Sequence, residues 1–433
     1  MADNQALERP AAGAGDRIRG YLDGTVGAML IERAGRRPEL WGFVAMTVLG
    51  ILVFLGTTAS KPQPLDYFNR LADALMHGRY WLDEAPSWLN ELIPADDGRW
   101  YVAYPPMPAV LAMPFVALFG REFPAQVYSS LYAGLTTGIV YLVLGRLGLA
   151  LRVRDRLSLT AVFAFGTCFW YVAIVGSAWY FAHVAALLFL SLATLSALTR
   201  RPAWIAGLLL GLAAMSRLPT GLALPFVLAA QLGFPGIAGL RAMERRRLVR
   251  TTLEFGLGLA VPAALYVGFN LARWGTIMDQ SYTRIPGVLE DPVYVDHGIL
   301  SAWYIPRNLY AILFRSWNYV DEFPWLQPSW WGLGLFFTTP LFLWLFKARL
   351  RTPMVAWSLL GVALVSIPIL THGNVGFTQF GYRFSLDFQL LLFVILATVV
   401  ARGWSGLMKA AAVASIVICA YAVWAISIDF VAF

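Results

Sequence analysis

Apolar runs of about 20 residues recur along the whole chain, and the shorter segments between them carry most of its charge. A run of that length crosses the ~30 Å hydrocarbon core of a bilayer as a helix. The pattern therefore predicts an all-α polytopic membrane protein. The predicted single crossings are residues 41–59, 126–144, 157–175, 181–198, 251–270, 331–346, 354–370, 384–401 and 410–427.

A further apolar segment, 203–233, lies between two basic flanks. Arg200 and Arg201 precede it, and five arginines follow it between 241 and 250. Because cytoplasmic loops carry the excess of Lys and Arg, both flanks belong on one side, and the segment must cross an even number of times. We predict a hairpin of two short helices broken near Arg217, for about eleven crossings in all. A helix over 203–216 spans only ~21 Å, so Arg217 must lie in a polar cavity or beside a partner.

The same charge rule orients the rest of the chain. Every basic cluster falls on one side, which we assign to the cytoplasm, and this accounts for the net charge of +8 without nucleic acid. Residues 1–40 are then a cytoplasmic segment with no cleavable signal peptide, in which 16–37 form either a helix along the membrane face or a frayed tail. Residues 41–433 form one transmembrane domain with its C-terminus outside, which we expect in the plasma (inner) membrane of a bacterium.

Three large loops lie on the predicted outer side: 60–125, 271–330 and 371–383. They are rich in acidic residues and in Trp and Tyr, most of which we assign to an interfacial belt and a minority to stacking on sugar rings. The first loop carries an amphipathic helix over 66–78, on the outer surface. A second helix, entered by a Pro-Pro pair, is expected to dip into the outer leaflet.

The composition excludes a soluble domain, since 59% of the residues are hydrophobic and only 13% are charged, against about 25% charged in soluble domains. Cys168 and Cys419 both lie in apolar runs, with no disulfide or metal spacing. The sequence has no phosphate-binding loop, dinucleotide fingerprint, HExxH or GxSxG pattern. Any group transfer must therefore use a substrate that arrives already activated.

Carboxylates of the first loop are candidates for a general base. Asp66 opens the amphipathic helix beside apolar surface, and its alternative role is a helix N-cap. Its rivals in the same loop are Asp83, Glu84, Asp96 and Asp97.

Polar residues at membrane depth are functional candidates as well. Near the outer side, or in the outer loops, these are His183, Arg217, Arg307, His372 and Arg383. The alternative for such residues is structural pairing, for example of Arg383 with Asp387 one helical turn later.

Several segments resemble a known family. The first loop contains DYFNRLADALMHGRYWLD at 66–83 and DGRWYVAYPPMPAVLAMPFVALFG at 97–120, and later segments include RWGTIMDQSYTRIP, WYIPRNLYAILF, PSWWGLGLFFTTP and QFGYRFSLDFQLLL. In their order and setting they resemble the GT-C superfamily of integral membrane glycosyltransferases, which includes protein O-mannosyltransferases and lipid A aminoarabinose transferases. The resemblance covers roughly 41–401 and lies in topology and local segments rather than in one diagnostic motif.

The resemblance implies a GT-C-like fold and an inverting transfer of sugar from a polyprenyl-phosphate donor to an acceptor hydroxyl at the outer face. The acceptor is a glycan, a lipid or a protein. Asp66 matches the family's catalytic acid, although Tyr67 follows where a second acid is often found. Basic residues of the family hold the donor phosphate, a role that falls to Arg217 and Arg383. The other expected substrate contacts are His183, Arg307, His372 and Tyr382.

No ligand cluster in the sequence demands a metal, although some relatives use a divalent cation.

Three other functions fit parts of the pattern. A polysaccharide polymerase or ligase would use a lipid pyrophosphate donor. A transporter or flippase of lipid-linked sugars would favour charges near the midplane and an internal repeat. An inactive member with a scaffolding role would explain the missing second acid.

Overall fold

A computed structural model describes residues 39–58, 65–95 and 97–430 of the chain. The expected cytoplasmic helix within 16–37 and the candidate acid Asp96 lie outside the described residues. The first α-helices are α1 (Glu39–Thr57), α2 (Tyr67–Met76), α3 (Met107–Phe119), α4 (Ala125–Arg146), α5 (Val153–Phe165), α6 (Phe169–Val175), α7 (Ala178–Leu198), α8 (Ala203–Ala214) and α9 (Leu224–Gln231). The remaining α-helices are α10 (Ile237–Ala242), α11 (Arg245–Trp274), α12 (Ser281–Arg284), α13 (Ile305–Leu313), α14 (Leu335–Thr338), α15 (Pro353–Thr371), α16 (Leu386–Val400) and α17 (Gly406–Ser427).

The described chain also forms 3-10 helices and two short antiparallel hairpins. The 3-10 helices are Leu218–Ala223, Val288–Glu290, Ala302–Tyr304, Pro340–Lys347 and Arg383–Ser385. The hairpins pair β1 (Leu92–Pro94) with β2 (Trp100–Val102), and β3 (Asn318–Tyr319) with β4 (Leu326–Gln327). The structure of the described residues is therefore helical, with only minor strands in the loops.

In the part of the chain that the structure describes, seven helices are long and apolar enough to cross a membrane, and the pair α5–α6, bent by 54°, makes an eighth if it counts as one span. The seven are α1, α4, α7, α11, α15, α16 with the 3-10 turn before it, and α17. The chain is thus a multi-pass membrane protein. The predicted number of eleven crossings is not confirmed, because the remaining candidates are too short or too irregular to qualify on length and composition.

The hairpin predicted over 203–233 is present in the structure. Helix α8 ends at Ala214, the chain turns at Arg217, and α9 returns to Gln231. The side-chain Nε2 of Gln231 donates to the carbonyl of Arg201 at 2.7 Å, so both ends of the hairpin lie together. The two basic flanks predicted this hairpin correctly. Because both flanks belong on the same side of the membrane, the segment between them has to return to the side from which it started.

The continuous helix predicted over 331–346 is wrong. The segment forms only α14 and then the 3-10 helix Pro340–Lys347, because Pro340 has no N–H to continue an α-helix. Trp331 pairs with Gln379 just before α16, and Arg402 just after α16 donates to the carbonyl of Lys347. The segment therefore runs the whole length of α16. A 3-10 helix rises about 2.0 Å per residue, so it covers that length with fewer residues than an α-helix.

The helices share two ends, which we name by their residues. At the arginine end, Glu39 pairs with Arg146 at 2.5 Å, and Trp404 donates to Asp155 at 3.1 Å. At the loop end, Trp170 donates to Thr57 at 2.9 Å. The alternation of helices places every basic cluster of the described chain at the arginine end. Its assignment to the cytoplasm stays a prediction.

The amphipathic helix expected on the outer surface is instead mostly buried as α2. Its polar Asn69 and Arg70 are buried together with its apolar face. Asn69 donates to the carbonyls of Arg121 and Phe123 at 2.8 Å, which fixes α2 to the turn between α3 and α4. The helical spacing of apolar residues in the sequence identified the apolar face of α2 correctly. It could not show that residues of the polar face are buried as well.

Glycines allow α8 and α11 to pack backbone against backbone. A Cβ on Gly258 would lie 1.9 Å from the carbonyl oxygen of Trp204, and one on Gly207 would lie 2.0 Å from that of Phe255. Such small-residue contacts are a usual means of close helix packing in membranes.

We expect Gly258→Ala to lower stability by about 2 kcal/mol, because the two helices must separate to accept the methyl group. Gly256→Ala is the matched control in the same helix, since its Cβ would meet nothing within 4 Å. Thermal unfolding of both variants in detergent, followed by tryptophan fluorescence, measures the difference. Equal unfolding temperatures in the two variants would show that this contact does not set the α8–α11 distance.

Candidate functional site

A cluster of polar residues lies at the loop end, around the ring of Phe384. The guanidinium carbons of Arg217 and Arg383 lie 5.3 Å and 5.2 Å from the centre of this ring. The rings of His183 and His372 lie 6.1 Å and 6.3 Å from it. Four of the residues predicted from the sequence thus lie around one aromatic side chain. Arg217 comes from the α8–α9 turn, Arg383 from the start of α16, His183 from α7 and His372 from the end of α15.

Asp387 neutralises one of the two arginines. Its Oδ1 and Oδ2 lie 2.7 Å and 2.9 Å from Nε of Arg217, and Oδ1 lies 3.0 Å from Nδ1 of His183. The Asp387 side chain is fully buried. The alternative pairing of Asp387 with Arg383, one turn away, is not found. Arg217 and Asp387 therefore tie the hairpin turn to α16, and His183 ties α7 to the same carboxylate.

Arg383 is buried without a counter-ion. Only 6% of it is exposed, and no carboxylate of the described residues lies within 4 Å of its guanidinium. Its Nη1 donates to the carbonyl of Phe377 at 2.6 Å, while its Nε has no hydrogen-bond partner among the described residues. The rings of Trp179 and Tyr180 flank the guanidinium at 5.7 Å and 5.3 Å. A buried, unpaired cation is costly, so this geometry suits a position that an anionic group occupies.

Glu91 is the carboxylate of the first loop that belongs to this cluster, and the sequence argument missed it as a candidate. Its Oε2 accepts from Nε1 of Trp179 at 2.8 Å, and its backbone N–H donates to the hydroxyl of Tyr67 at 2.8 Å. Burial raises the pKa of Glu91 above its ordinary value, an effect that the positive charge of Arg383 partly opposes. A carboxyl group with a raised pKa is a better proton acceptor than an ordinary one.

Tyr282 and His372 close the cluster from the second and third loops. Their rings lie 5.5 Å apart. Desolvation raises the pKa of the Tyr282 hydroxyl to about 12, although 40% of the residue is exposed. Burial also lowers the pKa of His372 to about 4, and the charges of nearby arginines add to this effect. His372 is therefore neutral at pH 7 and can accept or donate a hydrogen bond.

Arg307 and Tyr382 lie beside the cluster. Arg307 donates to the carbonyl of Gly373 and packs 5.0 Å from the ring of Tyr304, so it holds the loop that carries His372. Tyr382 is buried against Phe384, and its hydroxyl has no partner among the described residues. Contacts of either residue with a substrate stay predictions.

Asp66, the predicted base, lies outside this cluster, one residue before Tyr67. Its Oδ2 lies 2.8 Å from Nε of Arg70, and its Oδ1 accepts from Nε1 of Trp88 at 3.2 Å. Asp66 occupies the N-cap position of α2, but its side chain makes no cap hydrogen bond to the helix backbone. Arg70 also pairs with Glu84 at 2.8 Å. Asp66 thus belongs to a neighbouring ion-pair network, and Tyr67 lies between that network and Glu91.

The other described rivals are exposed and paired. Asp83 contacts Arg79 and Trp81, and Asp97 lies 3.0 Å from Arg99. Neither lies in the cluster around Phe384. Among the described residues, no group of three or more His, Cys, Asp or Glu side chains is arranged to hold a metal ion.

Comparisons with known proteins add little to this geometry. No protein family and no curated protein matches the chain. Among solved structures, an apo oligosaccharyltransferase from Archaeoglobus fulgidus aligns over 90% of this chain and 55% of its own, with a TM-score of 0.42 and 12% identity. The chain thus spans about half the length of that protein, and a similarity this low does not define a shared fold or activity.

Asp387 offers a test of the buried network. We expect Asp387→Asn to destabilise the protein by about 3 kcal/mol, because it leaves the guanidinium of Arg217 without its counter-ion. The double variant Asp387→Leu with Arg217→Met should recover most of that loss, since it removes both charges. Chemical unfolding of the double variant, and of Asp387→Leu and Arg217→Met alone, gives the complete double-mutant cycle. A double variant no more stable than Asp387→Asn would mean that the ion pair is not what Asp387 contributes.

Proposed function

We propose that the protein transfers a sugar from a polyprenyl-phosphate donor to an acceptor hydroxyl, at the loop end of the bundle. The observation that carries this proposal is Arg383, a buried arginine with no counter-ion among the described residues, beside the half-buried carboxylate of Glu91. An unpaired guanidinium suits a phosphate group, and a carboxylate nearby suits the proton of an attacking hydroxyl. The surrounding membrane helices suit a donor with a long apolar tail. The resemblance of the sequence to GT-C enzymes points in the same direction.

In the proposed reaction, the acceptor oxygen attacks C1 of the sugar while the bond from C1 to the phosphate oxygen breaks. The bonding electrons leave with the polyprenyl phosphate, and the acceptor proton passes to a carboxylate. Arg383 stabilises the charge that grows on the leaving phosphate, and its fixed position means that little reorganisation is needed. Attack opposite to the leaving group inverts the configuration at C1.

Two acids compete for the role of base. Asp66 is the candidate from the sequence, but Arg70 and Trp88 occupy its two oxygens. Glu91 keeps Oε1 free of hydrogen bonds to the described residues, and it contacts Trp179, whose ring also lies against the guanidinium of Arg383. We therefore propose Glu91 as the base, and Asp66 remains the alternative that the experiment below tests.

The net charge of the cluster favours a monophosphate donor over a pyrophosphate. Asp387 already neutralises Arg217, which leaves Arg383 as the arginine beside Phe384 that has no ion pair with a described residue. A transporter is less well supported, because the cluster lies at one end of the bundle rather than at its middle. The proposed orientation places this end at the outer face of a bacterial plasma membrane.

The direct test is sugar transfer in sealed vesicles that contain the purified protein and a radiolabelled donor. We expect release of polyprenyl phosphate from monophosphate donors, and little turnover of pyrophosphate donors. Arms with EDTA and with added Mg²⁺ measure any need for a divalent cation. Movement of donor across the bilayer without transfer would instead indicate a flippase.

In that assay we expect Arg383→Ala to reduce kcat/KM for the donor about 100-fold, the effect of losing a charge-assisted contact of about 3 kcal/mol. Arg99→Ala is the control, because Arg99 is a first-loop arginine that pairs with Asp97 away from the cluster. Unchanged donor kinetics in Arg383→Ala would leave Arg383 with a structural role only.

Glu91→Gln should lower kcat by 10²–10⁴-fold, the usual effect of losing a general base. The amide can still accept from Trp179, so the fold should be retained. A base works in its deprotonated form, so wild-type kcat should rise with pH through the raised pKa of Glu91, and the variant should lack that rise. Asp66→Asn and the exposed Asp83→Asn are the comparisons. Loss of activity in Asp66→Asn with near-normal activity in Glu91→Gln would assign the base to Asp66.

A further inference from the structure

At the arginine end, a cavity of about 490 Å³ opens between the α7–α8 turn and the first turns of α11. Its basic lining residues are Arg200, Arg201, Arg246, Arg247 and Arg250. The two carboxylates in the lining are Glu244 and Glu254, and Glu254 is paired with Arg250 at 2.7 Å. Among the described residues, no carboxylate lies within 4 Å of the other four guanidiniums. The cavity therefore has a strong excess of positive charge.

Three features fix the backbone around this cavity. Arg200 follows the end of α7 in a left-handed backbone conformation, with φ of 53°, at a position where glycine is usual. The carbonyl of Arg201 is held by Gln231 at 2.7 Å. The backbone contact of Gly258 with Trp204 then sets the distance from this turn to α11. The cavity is thus built by rigid packing rather than by a flexible tail.

The cavity continues into an apolar surface. Arg250, Glu254, Leu257 and Val261 follow at helical spacing and share one face of α11. Leu257 and Val261 are exposed, and so is Trp204 at the start of α8. A polar cavity that leads into exposed apolar side chains matches the two parts of a lipid, a charged headgroup and its acyl chains.

We propose that this cavity binds the phosphate headgroup of an anionic phospholipid, with the acyl chains along Leu257 and Val261. Arginine pairs with phosphate through two parallel N–H donors, and basic pockets between membrane helices suit anionic headgroups. Orientation of the protein in the membrane requires basic residues on one side. It does not require arginines from two separate segments to converge on one cavity, where like charges repel unless an anion lies between them.

The test compares lipid binding by the full-length protein and two matched double variants. Arg246→Ala with Arg247→Ala removes two lining residues. Arg241→Ala with Arg245→Ala removes two exposed arginines of the same segment that do not line the cavity. The readouts are lipid retained after detergent exchange, by native mass spectrometry, and the unfolding temperature in phosphatidylcholine bilayers with and without phosphatidylglycerol or cardiolipin.

We expect anionic lipid to stay bound to the wild type and to the Arg241/Arg245 variant, and to raise their unfolding temperature. Each lining arginine removed should weaken binding about fivefold. Equal loss in both variants, or no preference for anionic lipid in the wild type, would overturn the proposal. A rise in unfolding temperature with inorganic phosphate alone, equal to that with anionic lipid, would assign the cavity to a soluble phosphate compound instead. None of these readouts depends on sugar transfer.

Discussion

The fully buried carboxylate of Asp387 is the interaction on which the loop end of the structure depends. A polar group within a bilayer must be satisfied inside the protein, because no water is available to do so. Asp387 satisfies polar side chains of two segments at once, because it pairs with Arg217 of the hairpin turn and with His183 of α7. The hairpin can therefore turn back before it crosses the full bilayer, and α16 becomes the element against which both segments are placed.

The same constraint makes Arg383 informative. It lies four positions before Asp387, yet the carboxylate pairs with Arg217 instead. Two guanidiniums thus lie against the same ring of Phe384, and among the described residues only that of Arg217 has a counter-ion. An arrangement that only needed stability would pair both or bury neither. A preorganised cation that is completed only by a bound anion is the arrangement that stabilises charge developing during a reaction.

The sequence predicted those parts of the structure that rest on regular spacing or on charge. Long apolar runs gave most of the membrane helices, and the two basic flanks gave the hairpin at Arg217. The segment 331–346 failed because apolar character does not distinguish an α-helix from a 3-10 helix that begins at a proline. The proposed partner of Asp387 failed because only the neighbour one turn away is visible in sequence, whereas Arg217 is 170 residues distant. Glu91 was missed for the same reason, since Trp179 lies 88 residues later.

The two ends of the bundle use arginine in opposite ways, and the dielectric environment explains why. A charge pair at 4 Å is worth about 1 kcal/mol in water and about 4 kcal/mol at the effective dielectric of a partly buried site. One buried guanidinium at the loop end can therefore attract an anion as strongly as several exposed guanidiniums do at the arginine end. Salt screens exposed charges much more than buried ones. Binding at the arginine end should thus weaken as ionic strength rises, while binding at Arg383 should change little, so salt alone separates the two sites within one protein.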